Sequence, residues 1–524
     1  MQIHPTRAAV DVAMAGMVVL ATGVVTREAA IVAWGGALVV GLAIARAVTH
    51  LSVARIRSAG FEMLWRNEPK SRVVARGETV ELAAEIRNRD SRAARFVALR
   101  VVASPEVLVE VEPREGEVAA QGRLAATVRV TPLRVGRQGL HGLSLEVQGA
   151  PGLFEVPLTF ANPLGLEVRP APAGVARRSA RGGRSRRSAE VGRAGAVAGD
   201  GDELRELREH RAGDPFKRIA WKASARRGVL LVREFEREER EVVWLVLDAS
   251  VELWSGAPGR APLDLAIDEV ALVAQRHLAR GDRVGLLIVA ARVLAEVRPD
   301  RGPAQGARID AALALAAGTL DHDRCDLDEA EVAQRVVEHM RPLDPEAAHR
   351  LSPTDLDRVA RRADRVRARA VFGSSEIVGA TPRDRTLRRY LAAFGLTAPP
   401  RQEPERPRTD PLLAEALARL ARERPKPSVI FVWSPPAELG ERPALEAALR
   451  ARSRRVALHW IPMTQAHAAA PGASDVATAA SEAVALRARV AEARGGRALA
   501  ALGVRVERLR SGAPRRADPP EGNR

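Results

Sequence analysis

Three oxygen-bearing side chains alternate along the chain directly after an apolar run. Asp248, Ser250 and Glu252 follow residues 242–247, which read VVWLVL. Oxygen ligands of this kind suit a hard divalent cation. Two neighbouring acids can also serve metal-assisted or general acid–base hydrolysis. The simpler alternative is that Asp248 caps a loop or binds backbone amides, with no ion.

The apolar run itself predicts the element that positions these side chains. Six continuous apolar residues indicate a parallel strand that is buried on both faces. Ligands of such sheets bind at the carboxyl ends of the strands, so Asp248 is expected at an open, accessible rim. Further strands are predicted over 284–289, 293–297, 429–433, 456–461 and 504–506, with helices over 263–280, 444–451 and 474–502. This alternation predicts a doubly wound, mostly parallel sheet.

The usual signatures of hydrolytic enzymes are absent from the sequence. It contains no H-E-x-x-H motif, no Walker A loop, no G-x-S-x-G elbow and no clustered Ser/His/Asp set. The single cysteine, Cys325, excludes an internal disulfide and a cysteine-based metal site. No small-molecule substrate is evident. We therefore expect a protein that is not an enzyme, with a metal-assisted hydrolase using Asp248 and Glu252 as the alternative.

The charge balance is strongly basic. The 524 residues carry a formal net charge of +17, and only 3% of them are aromatic. A basic excess is typical of proteins that bind nucleic acid, anionic lipid or an acidic partner. Because single-stranded nucleic acid is usually bound on aromatic platforms, a nucleic-acid partner is not expected. Arginine-driven nucleic-acid binding stays a second alternative.

Two apolar runs open the chain. Residues 10–25 and 29–48 are each close to the roughly 20 apolar helical residues that cross a bilayer. They predict a transmembrane hairpin over 1–58, with a buried soluble hairpin as the alternative. Arginines flank the outer ends of both runs, whereas the connecting loop has only Arg27 beside Glu28. By the positive-inside rule, the later domains lie on the cytoplasmic side of the cytoplasmic membrane.

Short alternating apolar stretches follow the hairpin. Over residues 59–170 they are punctuated by Gly and Pro at regular intervals, which predicts an antiparallel sandwich of the immunoglobulin type. Residues 171–201 carry seven arginines among Ser, Gly and Ala, and this composition predicts a basic flexible linker.

The stretch over 203–236 reads ELRELREHRAGDPFKRIAWKASARRGVLLVREFE. Its central part predicts a helix that begins with Asp214 as N-cap and Pro215 in the first turn, and that ends before Gly228. The stretch resembles the bacterial family called domain of unknown function 58. The matching residues are Glu206, Arg208, Gly213, Asp214, Arg218, Ile219, Trp221, Ser224, Ala225, Arg226, Leu230, Val232 and Glu234. His210 stands where the family usually has an aromatic residue.

The resemblance implies a von Willebrand A-like domain and a MoxR-type AAA+ ATPase as partner, in a protein that acts as a membrane-bound adaptor. Von Willebrand A domains hold Mg²⁺ with a D-x-S-x-S motif at a strand end, and the ion recruits an acidic group of the partner. Here Asp248 and Ser250 match, but Glu252 takes the third position, and Ser434-Pro435 replaces a later Ser-Asp pair. The resemblance thus implies a degenerate metal site.

The resulting domain organisation has seven parts. After the hairpin, sandwich and linker come the first part of the von Willebrand A-like domain over 202–320 and a mostly helical insertion over 321–426. The second part of the domain covers 427–510, and a disordered tail covers 511–524. The insertion, which the resemblance does not cover, has Pro-rich breaks at 399–400 and over 404–411.

Overall fold

The structure is a computed structural model. It describes residues 3–59, 61–66, 68–149, 152–171, 198–211, 214, 216–236, 241–254, 256–344, 350–373, 376–435, 442–453, 456–463 and 474–507. Most of the predicted linker and the whole predicted tail lie outside the described residues. The coarse expectation of two apolar helices followed by sheet-rich regions of mixed α/β content is confirmed.

Helices α1 (Arg7–Thr26) and α2 (Ala29–Ala59) form the N-terminal hairpin. Both have a mean hydropathy of 2.0, and the spanning windows are only 17% and 11% buried. By length and composition, both can therefore cross a membrane. The two helices approach closely at Gly23 and Gly35, where an added Cβ would lie 2.6 Å from a backbone nitrogen of the other helix. Small residues at helix contacts are typical of membrane hairpins.

Ten strands follow or flank the hairpin and form two sheets with one shared core. One sheet has the order β2–β4–β8–β6, and the other has the order β1–β10–β9–β5–β7 with β3 beside β10. The strands are β1 His4–Pro5, β2 Phe61–Trp65, β3 Ser71–Ala75, β4 Val80–Asn88, β5 Ala94–Ala103, β6 Val107–Glu112, β7 Gly116–Val118, β8 Arg123–Pro132, β9 Gly136–Gly149 and β10 Phe154–Arg169. Apolar side chains alternate inward, as in Leu82, Ala84 and Ile86 of β4.

Along the chain, a small two-stranded module lies between this sandwich and the next sheet. Strand β11 (Ala198–Glu209) pairs antiparallel with β12 (Leu231–Glu236). A 3-10 turn (Phe216–Arg218) and helix α3 (Trp221–Arg227) connect the two strands.

A large six-stranded sheet has the order β15–β14–β13–β16–β17–β18, and only β15 runs antiparallel to its neighbour. Its strands are β13 Val242–Asp248, β14 Arg283–Val289, β15 Val293–Asp300, β16 Val429–Ser434, β17 Ala457–Pro462 and β18 Arg505–Val506. Its helices are α4 Pro262–Ala279, α5 Pro303–Ala316, α9 Arg406–Leu420, α10 Pro443–Ser453 and α11 Asp475–Ala501. Two separate apolar clusters contain alternate residues of β13, which is therefore buried on both faces as expected.

Between α5 and α9 lies the predicted helical insertion. Helices α6 (Glu329–Leu343), α7 (Leu356–Val366) and α8 (Pro382–Ala393) surround their own apolar core. The predicted break over 404–411 is wrong from Arg406 onward, because α9 begins there. Pro407 lies in the first turn, where the missing N–H has no helical partner anyway. Leu413 and Leu417 of α9 pack against the large sheet and not against the core of the insertion.

The sandwich contacts both neighbouring parts. Arg134 pairs with Asp264 of α4 and lies over the ring of Trp254 at 4.5 Å. On the insertion side, Ser104 Oγ donates to the Gly395 carbonyl at 2.7 Å. The insertion also contacts the rim where Asp248 ends its strand, because Arg324 donates to the carbonyl of Ala249 at 2.8 Å.

Candidate functional site

The candidate site lies at the carboxyl end of β13. The chain passes from β13 outward to β14 on one side and later returns to β16 on the other. Ligand sites of open α/β sheets form at such a switch point, since the loops diverge there and leave a crevice. Asp248 ends β13 and Ser434 ends β16, so the topology brings these two side chains together.

Asp248 has no exposed surface, and its carboxylate accepts four hydrogen bonds. Oδ1 accepts from the backbone N–H and the hydroxyl of Ser250, at 3.1 and 2.6 Å. Oδ2 accepts from the hydroxyl of Ser434 and from Nη1 of Arg406, at 2.7 and 2.8 Å. Burial alone would raise the pKa of Asp248, but the charge of Arg406 and the hydrogen bonds outweigh it and lower that pKa. The carboxylate is therefore ionised.

Arg406, the first residue of α9, lies over this carboxylate. Its Nη2 also donates to Ser250 Oγ at 3.2 Å, and its Nη1 pairs with Asp410 Oδ1 at 3.2 Å. Asp410 in turn pairs with Arg442 at 2.6 Å. The charges thus alternate along the rim from Asp248 through Arg406 and Asp410 to Arg442. Only the Arg406 side chain among these four has more than a fifth of its surface exposed, at 23%.

Glu252 has a different task from the one expected of a metal ligand. Its Oε1 accepts the backbone N–H groups of Glu405 and Arg406, at 2.7 and 3.0 Å. Glu405 precedes α9 and makes no side-chain cap of its own. Glu252 therefore supplies a carboxylate to two free amides at the start of this helix. In return, Glu405 Oε2 accepts from the backbone N–H of Val251 at 3.0 Å. These reciprocal bonds fix the start of α9 against the loop that follows β13.

The donor set does not fit the divalent ion that the resemblance implies. An ionised carboxylate offers about four lone-pair positions, and Asp248 uses them for the bonds above. The guanidinium of Arg406 lies where a cation would contact Asp248 and Ser250 together. The expectation that Asp248 is open at the rim is also corrected, because α9 covers it. The strand-end position was expected, whereas the cover comes from a segment more than 150 residues later in the chain.

Sequence reasoning missed Arg406 because the surrounding prolines predicted a break. Two signals could have found the helix. Pro407 is favourable in the first turn of a helix, and Leu413, Leu417 and Leu420 follow it at helical spacing. No local signal assigned Arg406 to the rim.

The family-motif residues form a separate structure, away from the rim. Arg208 of β11 donates two hydrogen bonds to Asp214, at 2.8 and 2.7 Å. Ser224 is buried in α3, and its hydroxyl accepts from the backbone N–H of Leu231 in β12 at 2.8 Å. Trp221 and Arg226 are exposed on α3. Arg218 ends the 3-10 turn, and Gly213 lies outside the described residues.

The predicted capping role of Asp214 is wrong. Helix α3 begins only at Trp221, and its N-cap residue Ala220 makes no side-chain cap. Asp214 instead binds the Arg208 guanidinium and the backbone N–H of Arg211. The hydrogen bonds from Arg208 lower the pKa of Asp214 to about 2. The motif residues therefore stabilise the connection between strands β11 and β12, which pair with each other.

One further group could offer ligand atoms to a metal. Glu241, His277 and Asp282 have ligand atoms within 4.8 Å of one another, at the opposite end of β13. However, His277 Nδ1 already pairs with Asp282 Oδ2 at 2.8 Å, and Asp282 Oδ1 accepts the backbone N–H of Glu241. These bonds tie the end of α4 to the start of β13.

The protein combines an apolar helical hairpin, a two-sheet sandwich and a mostly parallel sheet with a charged rim. The family described as "Protein of unknown function DUF58" matches residues 206–371. The resemblance inferred from the motif is confirmed over these residues. The expectation that the resemblance leaves out the insertion is corrected, because the match continues to residue 371.

The related sequences are themselves uncharacterized. A stretch of 94 residues is 32% identical to the uncharacterized protein Mb1516 of Mycobacterium bovis and, equally, to the uncharacterized protein Rv1480 of Mycobacterium tuberculosis. The match covers 18% of this chain and 30% of each relative. The chain thus matches less than a third of the length of these relatives.

Similar solved structures cover about a fifth of the chain. The PapD-like domain 7 of human CEP192 has 18% identity and a TM-score of 0.17, covering 22% of this chain and 88% of that chain. The MSP-domain protein SSP-19 of Caenorhabditis elegans has 13% identity and a TM-score of 0.14, covering 18% and 94%. Scores this low carry no conclusion about fold or function.

Proposed function

We propose that the chain is a membrane-anchored adaptor, not an enzyme, whose α/β domain is von Willebrand A-like and whose sandwich is immunoglobulin-like. The charged rim would dock a MoxR-type AAA+ ATPase, the partner class that the family resemblance implies. The soluble parts would lie on the cytoplasmic side of the membrane, as the flanking arginines indicate.

The observation that carries this proposal is the state of Asp248. A general base needs a reachable carboxylate with a pKa near the working pH. Asp248 is fully buried, it is bound to Arg406, and its pKa is lowered. Glu252 uses one oxygen to bind the start of α9. The two acids of the hydrolase alternative are thus engaged in holding the rim together, which favours docking over hydrolysis.

Anchoring is supported by the surface of the N-terminal hairpin. Val18, Val25 and Trp34 are 60%, 82% and 71% exposed, which is costly in water and favourable in lipid. At the other end of α2, the buried Thr49 contacts Gly149 of β9. The helix that would leave the membrane therefore continues directly against the sandwich and would hold it near the lipid surface.

Docking is tested by capturing the ATPase from detergent extracts on the full chain. Asp248→Asn removes the charge opposite Arg406 and keeps the shape, so the arrangement of the rim loosens. We expect the capture to fall several-fold. Arg419→Ala, at the other end of α9, is the matched control and should capture as the unmodified chain does. Equal capture by Asp248→Asn and Arg419→Ala would contradict docking at the rim.

Sidedness is tested by cysteine labelling in intact cells. Glu28→Cys lies between α1 and α2, and Leu486→Cys lies on the exposed surface of α11. A membrane-impermeant maleimide should label the first from outside and the second only after lysis. The opposite pattern would contradict the proposed orientation. The native Cys325 is buried and serves as the background control.

A further inference from the structure

A tethered cation occupies the position at the rim that a divalent ion would take. The Arg406 guanidinium bridges Asp248 Oδ2 and Ser250 Oγ, at 2.8 and 3.2 Å. These two residues are the ones that match the metal motif in the sequence. Their oxygens are thus still gathered at one point, but a side chain of α9 supplies the positive charge.

The third motif position explains how the guanidinium is held there. Glu252 binds the backbone N–H groups of Glu405 and Arg406, and Glu405 binds the backbone N–H of Val251. The glutamate is long enough to reach the start of α9, which a serine at this position would not be. The change from D-x-S-x-S to D-x-S-x-E therefore goes together with Arg406, because Glu252 anchors the helix that carries this arginine.

The charges of the surroundings also favour an arginine over an ion. Asp248 and Asp410 are balanced by Arg406 and Arg442, so the alternating row is neutral. A divalent ion next to Asp248 would face two guanidinium groups at short range, and it would have to displace Arg406 from two carboxylates.

We propose that Arg406 permanently replaces the metal ion at this rim, and that the rim binds a carboxylate of its partner through this guanidinium without any metal. A guanidinium has five N–H donors, of which three are used by Asp248, Asp410 and Ser250. Two donors are left on a side chain that is 23% exposed. The partner half of this inference rests on the proposed docking function, whereas the metal half does not.

The metal half is tested with Mn²⁺ alone on the purified full chain in detergent, by electron paramagnetic resonance. The unmodified chain should show no stoichiometric binding at millimolar Mn²⁺. Arg406→Ala should gain one binding site, and adding Asp248→Asn should abolish it. Arg406→Lys, which keeps the charge and protects folding, should bind no Mn²⁺. Arg419→Ala is the matched arginine control and should behave as the unmodified chain.

Two results would overturn the metal half. One is stoichiometric Mn²⁺ binding by the unmodified chain that Asp248→Asn removes. The other is a folded Arg406→Ala variant, as judged by near-ultraviolet circular dichroism, that gains no site.

The partner half is tested by repeating the capture of the ATPase with EDTA present. Capture should be unchanged by EDTA and should fall roughly 10-fold or more in Arg406→Ala, since a hydrogen bond between two charged groups is lost. Equal capture by Arg406→Ala and by the unmodified chain would overturn the inference. If the unmodified chain captures no ATPase at all, the proposed docking function fails, and the Mn²⁺ result still decides the metal half.

Discussion

Two ion pairs in this molecule join an arginine to an aspartate but lie in different surroundings. In the core of the insertion, Arg388 pairs with Asp384 at 2.8 Å, and the two side chains are 0% and 1% exposed. At the rim, Arg406 pairs with Asp248 at the same distance, but Arg406 is 23% exposed. The difference separates a pair that can only hold the fold together from one that an outside group can reach.

The surroundings of the inner pair support this distinction. Arg388 also donates to the carbonyls of Leu320 and Leu327, at 2.9 and 2.8 Å, and to Cys325 Sγ at 2.9 Å. Arg388 thus connects the segment before α6 to α8, and its side chain has no exposed surface. Arg406 keeps two N–H donors on a side chain that is 23% exposed, which is the requirement for binding a partner.

The largest effect is expected at the inner pair. Arg388→Met leaves the buried carboxylate of Asp384 with only the Ala380 backbone N–H as donor, and it removes the donor from two carbonyls. This should lower the free energy of unfolding by about 3–5 kcal/mol. Chemical denaturation of the full chain in detergent measures this. The double variant Arg388→Met with Asp384→Leu should recover much of the loss, because no buried charge remains. A loss below about 1 kcal/mol for the single variant would show that water reaches this core.

At the rim, the corresponding change should cost less. Arg406→Ala leaves Asp248 ionised, but the vacated space lies next to the surface, so water can enter and solvate the carboxylate. We expect a loss of about 2 kcal/mol in the same denaturation experiment. Millimolar Mg²⁺ should restore part of it in this variant only. A loss as large as that of Arg388→Met would remove the distinction between the two pairs.

The dryness of the insertion core also predicts a pH dependence. His339 of α6 bonds to His141 of the sandwich at 3.1 Å and to the Tyr390 hydroxyl at 3.0 Å. Burial lowers the pKa of His141 to about 4 and, together with the neighbouring His141, lowers that of His339 to about 3. Both are neutral in the folded protein, while the unfolded chain takes up protons below a pKa of 6.5.

Stability should therefore be complete above pH 6.5 and be lost as the pH falls toward 4. At pH 5.5 each histidine is expected to cost about 1.4 kcal/mol relative to pH 7.5. His141→Gln should reduce the difference between these two pH values by about half in denaturant titrations. His322→Gln, at an exposed histidine of the same insertion, is the control and should leave it unchanged. An undiminished pH difference in His141→Gln would mean that other groups cause it.

The smallest effect is expected for an exposed ion pair on α9. Arg419 pairs with Glu296 of β15 at 2.7 Å, and the two side chains are 45% and 27% exposed. Solvent screens such pairs, so Arg419→Ala should change stability by less than about 1 kcal/mol. A thermal melt of the full chain measures this. A larger loss would show that exposure alone does not distinguish the rim from the insertion core.

Much of the scaffold was predictable because the relevant signals are local. The length and hydropathy of the first two runs predicted α1 and α2. The apolar run of β13 predicted a strand buried on both faces, and its last residue predicted a side chain at the sheet rim. The start of α9 was missed, because prolines are ambiguous between a break and a first helical turn until the packing of the helix is known.

By itself, the amino-acid sequence determined most of the elements, the motif of the family and the position of Asp248 and Ser250 at a strand end. Only the tertiary structure decided that Asp248 is covered, that Glu252 holds a helix start, and that Arg406 provides the positive charge. The physical reason is distance along the chain. Strand, turn and helix signals act over a few residues, whereas the contact between residues 248 and 406 depends on how a 158-residue excursion returns to the same rim.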